Sequence, residues 1–248
     1  MSKKIAVVTG ASKGIGKSVA QYLADAGYHV VLIARNAELL QQVNDSIISN
    51  GGACSYYAID VSHAVDVETC MQNIVTQHGH IDLVFNNAAI LKKGTAEVSV
   101  ADIDELLRIN LNGAIYVAKY AAAHMKQQGD GYIINLSSIG GKVAQSFSGI
   151  YSASKFGLLG FSEALSKEMS FYNVKVTSIC PSMVATDMTA GRKFKSEDMI
   201  RPEDINKTVG YLLSLSNNAM PLEIVIHCVP FVKQIAEVTY SQIYGPSS

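Results

Sequence analysis

Cysteine is scarce and unpatterned. Cys54, Cys70, Cys180 and Cys228 show no C-x-x-C spacing, and a chain of 248 residues needs no disulfide staples to hold a core. A reducing, cytoplasmic setting is the simplest expectation. Neither sign of charge dominates: twenty Lys plus Arg against twenty-one Asp plus Glu leave a formal net charge of −1, so no global positive field collects nucleic acid or anionic membrane. Long apolar runs are missing as well. Met1-Ser2-Lys3-Lys4 passes directly into the short run Ile5 to Thr9, too brief for a signal-peptide core, and no later stretch approaches a membrane span. The expectation is a soluble protein that binds neither nucleic acid nor membrane. Internal repeats, low-complexity tracts and Pro/Ser-rich linkers are also absent, which points to one domain over residues 1–248.

What is present is material for a large core, with 48% hydrophobic and only 17% charged residues. Short β-rich runs alternate with segments of helical period, the pattern of parallel βαβ units. Strands are expected at Lys4 to Thr9, His29 to Ala34, Ala53 to Asp60, Ile81 to Asn86, Tyr132 to Ser137, Lys175 to Cys180 and Glu223 to Cys228. Continuous apolar runs such as Val30-Val31-Leu32-Ile33 imply burial on both faces. Ile15, Val19, Tyr22 and Leu23 form one helical stripe, and Val67, Cys70, Met71, Ile74 and Val75 another, with Gly27 and Gly79 as stops. The fold class predicted is α/β: a doubly wound, seven-stranded parallel sheet of Rossmann type with helices on both faces. Residues 182–201, with the basic cluster Arg192, Lys193 and Lys195, read as a long mobile loop that serves as a substrate lid. Residues 229–248 are weakly patterned and receive no function.

The first strand ends in Thr9-Gly10-Ala11-Ser12-Lys13-Gly14-Ile15-Gly16, and a helix follows at once. Glycines there allow positive φ and close approach of a pyrophosphate, whose charge the start of the helix favours. An ordinary tight turn is the competing account, but the turn's place after the first strand of an alternating chain favours a dinucleotide. At the end of the second strand, Leu32-Ile33-Ala34-Arg35-Asn36 offers no acid for a ribose hydroxyl. Arg35 can instead grip a 2′-phosphate, aided by Lys13, so NADP(H) is expected over NAD(H). Both cations could equally be ordinary surface charges.

Tyr151-Ser152-Ala153-Ser154-Lys155 opens a long predicted helix, and the i, i+4 spacing puts phenol and ammonium on one face. A neighbouring cation favours the phenolate and turns Tyr151 into a usable acid. Ser138 follows the fifth strand, at the edge where a parallel sheet gathers the Asn86-Asn87 turn and the glycine turn. Its hydroxyl can polarise a carbonyl. Ser137 and Ser138 also suit turn caps, Ser137 more so. Asn110 falls on the apolar stripe Ile103, Leu107, Ala114 and Val117; it either bonds a neighbouring backbone carbonyl or opens the helix around a water.

Together these motifs resemble the short-chain dehydrogenase/reductase family, with T-G-x-x-x-G-x-G at Thr9 to Gly16, Asn86-Asn87-Ala88-Ala89, Asn110, Ser138, and Tyr151 with Lys155. The resemblance spans Lys4 to about Cys228. It implies that Tyr151 is the general acid or base and Ser138 the carbonyl orienter. It further implies that Lys155 lowers the Tyr151 pKa and holds the nicotinamide ribose, while Asn110 supports a water-linked proton relay. It implies a cofactor site of Gly10, Ser12, Lys13, Gly14, Ile15, Gly16, Arg35, Asp60, Val61, Asn87, Ala88, Tyr151, Lys155, Pro181, Val184 and Thr186. Asp60 and Val61 would lie at the adenine, with a helix cap as the plainer use of Asp60. The substrate, a small ketone, aldehyde or secondary alcohol, would meet Ser138, Leu91, Gln145, Phe147, Met183 and the lid. A homodimer or homotetramer is implied, with the helices around Asn110 and Phe156 to Met169 at the interface.

The sequence departs from the family pattern in three places: Ala89 and Ser182 replace glycines, and the strand Leu222 to Cys228 lacks an Asp-Gly-Gly ending. The last difference favours a general carbonyl reductase over a 3-oxoacyl-thioester reductase of fatty-acid type. A dinucleotide-sensing scaffold without catalysis is the alternative from another class, against which the intact Ser138, Tyr151 and Lys155 stand. His78-Gly79-His80 reads as a helix end and not a metal pair, so no metal is expected.

Overall fold

The computed structural model describes residues 3–191 and 194–244. Among them, seven parallel strands form one sheet in the order β3-β2-β1-β4-β5-β6-β7. They are β1 (Ile5–Thr9), β2 (His29–Ala34), β3 (Ala53–Ala58), β4 (Leu83–Asn86), β5 (Gly131–Leu136), β6 (Val174–Pro181) and β7 (Glu223–Ile226). The helices are α1 (Gly14–Asp25), α2 (Ala37–Ser49), α3 (Ala64–His78), α4 (Val100–Leu107), α5 (Ala114–Gln128), α6 (Gly149–Met169), α7 (Pro202–Ser214) and α8 (Val229–Tyr244). None is long and apolar enough to cross a membrane.

Side chains of a strand alternate between faces, and each face of this sheet has its own core. Ala6, Val8, Val30 and Leu32 meet Leu23 of α1, Leu40 of α2 and Val209 of α7. Ile5, Val7, Val31 and Ile33 meet Met71 of α3, Val117 of α5 and Met169 of α6. That is the double winding the alternation predicts. The edge strands depart from two-sided burial: β3 and β7 alternate partly exposed residues, as strands with one neighbour do.

Local signals set the element ends. Asn36 caps α2 by accepting from the Leu39 N–H at 2.8 Å. Gly79, at φ +82°, closes α3 behind His78 in the left-handed conformation. The sheet order reverses between β1 and β4, and there the carboxyl ends part to form the crevice in which doubly wound folds bind ligands.

The lid expected at 182–201 is anchored at its base. Val184 and Ile200 form a parallel bridge, the Ala185 N–H donates to the Ile200 carbonyl at 2.8 Å, and the Ile200 N–H donates to Met183 O at 3.0 Å. Two short 3₁₀ turns, Asp187–Thr189 and Ser196–Asp198, lie within it. Of the basic cluster, Lys195 sits 3.6 Å from Glu197, while Arg192 and Lys193 lie outside the described residues, as do Met1, Ser2 and the final Gly245-Pro246-Ser247-Ser248. Val229–Tyr244, weakly patterned in sequence, forms helix α8.

Candidate active site

The crevice opens into a cavity of about 640 Å³ along the carboxyl edge of the sheet. Its first wall is the glycine turn. Gly10 stands at φ +63°, and a Cβ there would lie 2.7 Å from Asn87 Nδ2; a Cβ on Gly16 would strike the Gly10 carbonyl oxygen. Gly10 and Gly14, at φ +55°, line the cavity with Ser12, Lys13 and Ile15, whereas Gly16 packs behind them. No side chain caps the start of α1, so its first N–H groups are available to an anion. These features fit a pyrophosphate.

Thr9 ties this turn to the next one. Its Oγ1 accepts from the Asn87 N–H at 2.9 Å and the Ala88 N–H at 3.0 Å, and Asn87 Nδ2 donates to Thr9 O at 2.9 Å. Asn86, buried beneath, donates to Asn135 Oδ1 and Ala114 O. Thr9 and Asn86 thus hold the two turns at a fixed separation, roles that become visible only once β1 and β4 are neighbours.

Arg35 and Asp60 face each other at the far end of the cavity, 3.8 Å apart. Asp60 is partly buried, which works against its charge. Hydrogen bonds from Ser62, then the Arg35 guanidinium, nevertheless hold its carboxyl below the usual range. It also fastens the turn before α3 by accepting from the Ser62 N–H at 2.9 Å. Val61, Asn87, Ala88, Pro181, Val184 and Thr186 line the same cavity.

Past the end of β5, Ser138 Oγ accepts from the Gly140 N–H at 3.0 Å and caps the turn Ile139–Gly141. Accepting leaves its own O–H free to donate. The capping role falls to Ser138, then, while Ser137 donates to Lys155 O at 3.2 Å. Tyr151 and Ser138 both line the cavity. Lys155 is 3% exposed, its Nζ donates to Leu136 O at 2.8 Å and lies 5.8 Å from the centre of the Tyr151 ring. Burial pushes its pKa down to about 8, so the ammonium persists at neutral pH but within reach of titration.

Two expected residues stand elsewhere. Asn110 is fully buried and off the cavity, in a π-helical segment, Arg108–Gly113, that joins α4 to α5. Its side chain bonds the Ile90 backbone, and Ile90 itself lines the cavity. Phe147 adopts φ +61° and is 78% exposed, because its left-handed backbone turns the ring out to solvent; it does not line the cavity, whereas Gln145, Leu91 and Met183 do. Phe194, Phe231 and Gln234 also line it. No sequence motif marks them, and the aromatic residues themselves are the only available signal.

The sequence from residue 4 to 197 matches the family model described as short chain dehydrogenase. An uncharacterised oxidoreductase of Staphylococcus aureus is 34% identical over 230 residues, 92% of this chain and 99% of that protein. Among solved structures, a β-ketoacyl-[ACP] reductase of Bacteroides thetaiotaomicron superposes with a TM-score of 0.84 at 34% identity, covering 94% of this chain and 100% of that one. A metagenomic short-chain oxidoreductase in complex with NADP gives a TM-score of 0.81 at 30% identity, over 91% and 97% of the two chains. With the sheet order, the glycine turn and the Ser138, Tyr151 and Lys155 grouping all agreeing, the chain belongs to the short-chain dehydrogenase/reductase family of oxidoreductases.

Proposed function

We propose that this protein is an NADP(H)-preferring oxidoreductase that reduces a ketone or aldehyde or, in reverse, oxidises a secondary alcohol. One observation carries the reading: Ser138 and Tyr151 border the same cavity as the glycine turn, with the Lys155 ammonium buried beside them. Bound there, NADPH would supply the hydride for the carbonyl carbon and become NADP⁺, which with a proton on the oxygen turns C=O into H–C–O–H. The Ser138 hydroxyl donates to the carbonyl oxygen and holds it against the Tyr151 phenol. Tyr151 gives up the proton, and the Lys155 charge stabilises the phenolate that remains. Arg35 and Lys13 receive the 2′-phosphate, and the likeness to an NADP complex supports that choice. The partner is a small molecule, and the proposed assembly is a homodimer or homotetramer through α4, α5 and α6.

The test is Tyr151→Phe assayed over a carbonyl panel with NADPH. Turnover should drop by about 10² or more while fluorescence titration shows unchanged NADPH affinity; a variant as active as the parent overturns the mechanism. A second reading, a 3-oxoacyl-thioester reductase, is favoured by the likeness to the Bacteroides reductase. Preference for an acyl thioester over a simple ketone in the same panel would select it.

A further inference from the structure

The sheet order sorts the cavity into two ends. Lys13, Arg35 and Asp60 follow β1, β2 and β3 on one side. On the other side, Ser138 and Tyr151 follow β5, Met183 follows β6, and Phe231 and Gln234 belong to α8 behind β7. Three residues apart, Phe231 and Gln234 share one helix face, and that face borders the cavity. Phe231 is half-buried against the core beneath α1 and α7. Its ring lies parallel to that of His227, with centroids 5.9 Å apart and planes 8° apart, so the plane of the phenyl group is set before any substrate arrives.

Leu91, Met183, Met188 and Phe194 add to the apolar lining. Among the described residues, the charged side chains of the lining are Lys13, Arg35 and Asp60 at the cofactor end, Lys155 beside Tyr151, and one further acid, Asp187. Among the described residues at that end, an anionic substrate group would meet apolar side chains, uncharged amides and a carboxylate, with no cation to balance its charge. Resting on the reductase reading, we propose that the substrate is an uncharged carbonyl compound with a bulky apolar, best aromatic, substituent. Phe231 is the specificity-determining residue that stacks on that substituent, and Gln234 offers its amide at the exposed margin.

The experiment compares three methyl ketones that differ in one group: 4-phenyl-2-butanone, 2-butanone and 4-oxopentanoate. Steady-state kinetics with NADPH is paired with calorimetric titration of each ketone into protein saturated with NADP⁺. Wild type should favour the phenyl ketone over 2-butanone by roughly tenfold or more in kcat/KM, with 4-oxopentanoate poorest. Phe231→Ala should erase the phenyl advantage through KM while lowering kcat/KM for 2-butanone far less, and Phe231→Leu should restore part of that advantage. Equal losses on all three ketones, no phenyl advantage in wild type, or a preference for 4-oxopentanoate overturns the assignment. If no ketone is reduced, the reductase reading falls on its own. The titration then decides the pocket separately: selective binding of the phenyl ketone that Phe231→Ala abolishes upholds it, and equal or absent binding rejects it.

Discussion

Asn110 grips the backbone of Ile90 at both polar atoms, with Oδ1 accepting from the Ile90 N–H at 2.7 Å and Nδ2 donating to the Ile90 carbonyl at 2.8 Å. The same Nδ2 lies 3.4 Å from Ser154 Oγ, which in turn donates to Tyr151 O at 2.7 Å. One buried amide therefore registers three things: the π-helical turn, the chain leaving β4 beside the cavity, and the first turn of α6 that carries Tyr151. Asn110→Leu strips two partly buried backbone groups of Ile90 of their partners, and about 1–3 kcal/mol of stability should go with them. Urea unfolding checks the loss. Asn110→Asp should fall between, since it keeps the acceptor but sets a second oxygen against the Ile90 carbonyl.

Gly16 is required by contact and not by its backbone angle. A Cβ there would meet the Gly10 carbonyl oxygen and lie 2.6 Å from Asn87 Nδ2, and a backbone carbonyl has no easy retreat. Gly16→Ala should destabilise the fold by about 1–3 kcal/mol and weaken dinucleotide binding more than tenfold. Thermal melts with and without NADPH separate the two effects, and an alanine variant with parental affinity would show that the turn does not hold the pyrophosphate.

Arg35 leaves its partner Asp60 only 3.8 Å away, so any group that approaches the guanidinium also approaches a carboxylate. Arg35→Asp puts two carboxylates at the site of a 2′-phosphate. NADPH affinity should fall roughly 10- to 100-fold, the worth of charge-assisted bonds of this kind, with NADH affinity little changed. Fluorescence titration with each cofactor reads this directly. An equal loss for both would assign Arg35 to folding and remove the basis for the NADP preference.

Lys155 predicts a pH effect of definite sign. Its ordinary pKa is 10.5 and burial pushes it down to about 8 in the folded chain, so between those values the unfolded chain binds more protons. Stability from this residue therefore rises as pH climbs from about 8 towards 10.5, by at most about 1.4 kcal/mol per pH unit. Burial raises the tyrosines Tyr28 and Tyr132 and the thiols Cys54, Cys70 and Cys180, which gives the opposite slope at alkaline pH. The difference between wild type and Lys155→Met isolates the lysine. That difference in unfolding free energy should grow in favour of wild type from pH 8 to 10; a flat or falling difference contradicts the assignment.

The glycine turn, Arg35, Ser138, Tyr151 and Lys155 are legible in the chain as short-range spacings next to a strand end, whereas Asp60 and Asn87 are picked out as cofactor residues only through the family resemblance. Parallel topology brings strand ends to one edge whatever the loops contain. Strand limits read from apolar runs agree within two residues, the largest differences lying at β3, β4 and β7, where the last or first expected residues sit outside the ladder. Asn110 was visible as a polar residue out of place, but its partner was not. Ile90 lies twenty positions away, and nothing in the local pattern names it.

The same separation explains the other differences. Phe147 looks like a pocket residue in sequence, but whether an aromatic ring turns inward depends on a backbone angle, here φ +61°, that the surrounding loop imposes. Ser137 and Ser138 differ by one position, and the twist of the chain leaving β5 decides which one caps the turn. Phe231 and Gln234 carry no motif, and they reach the cavity only because β7 pairs with β6 and directs α8 back across the carboxyl edge of the sheet. Periodicity and turn chemistry, which act over a few residues, determined the architecture and the cofactor edge. The identity of the residues that close the substrate end rested on contacts between segments distant in the chain, and those exist only in the folded packing.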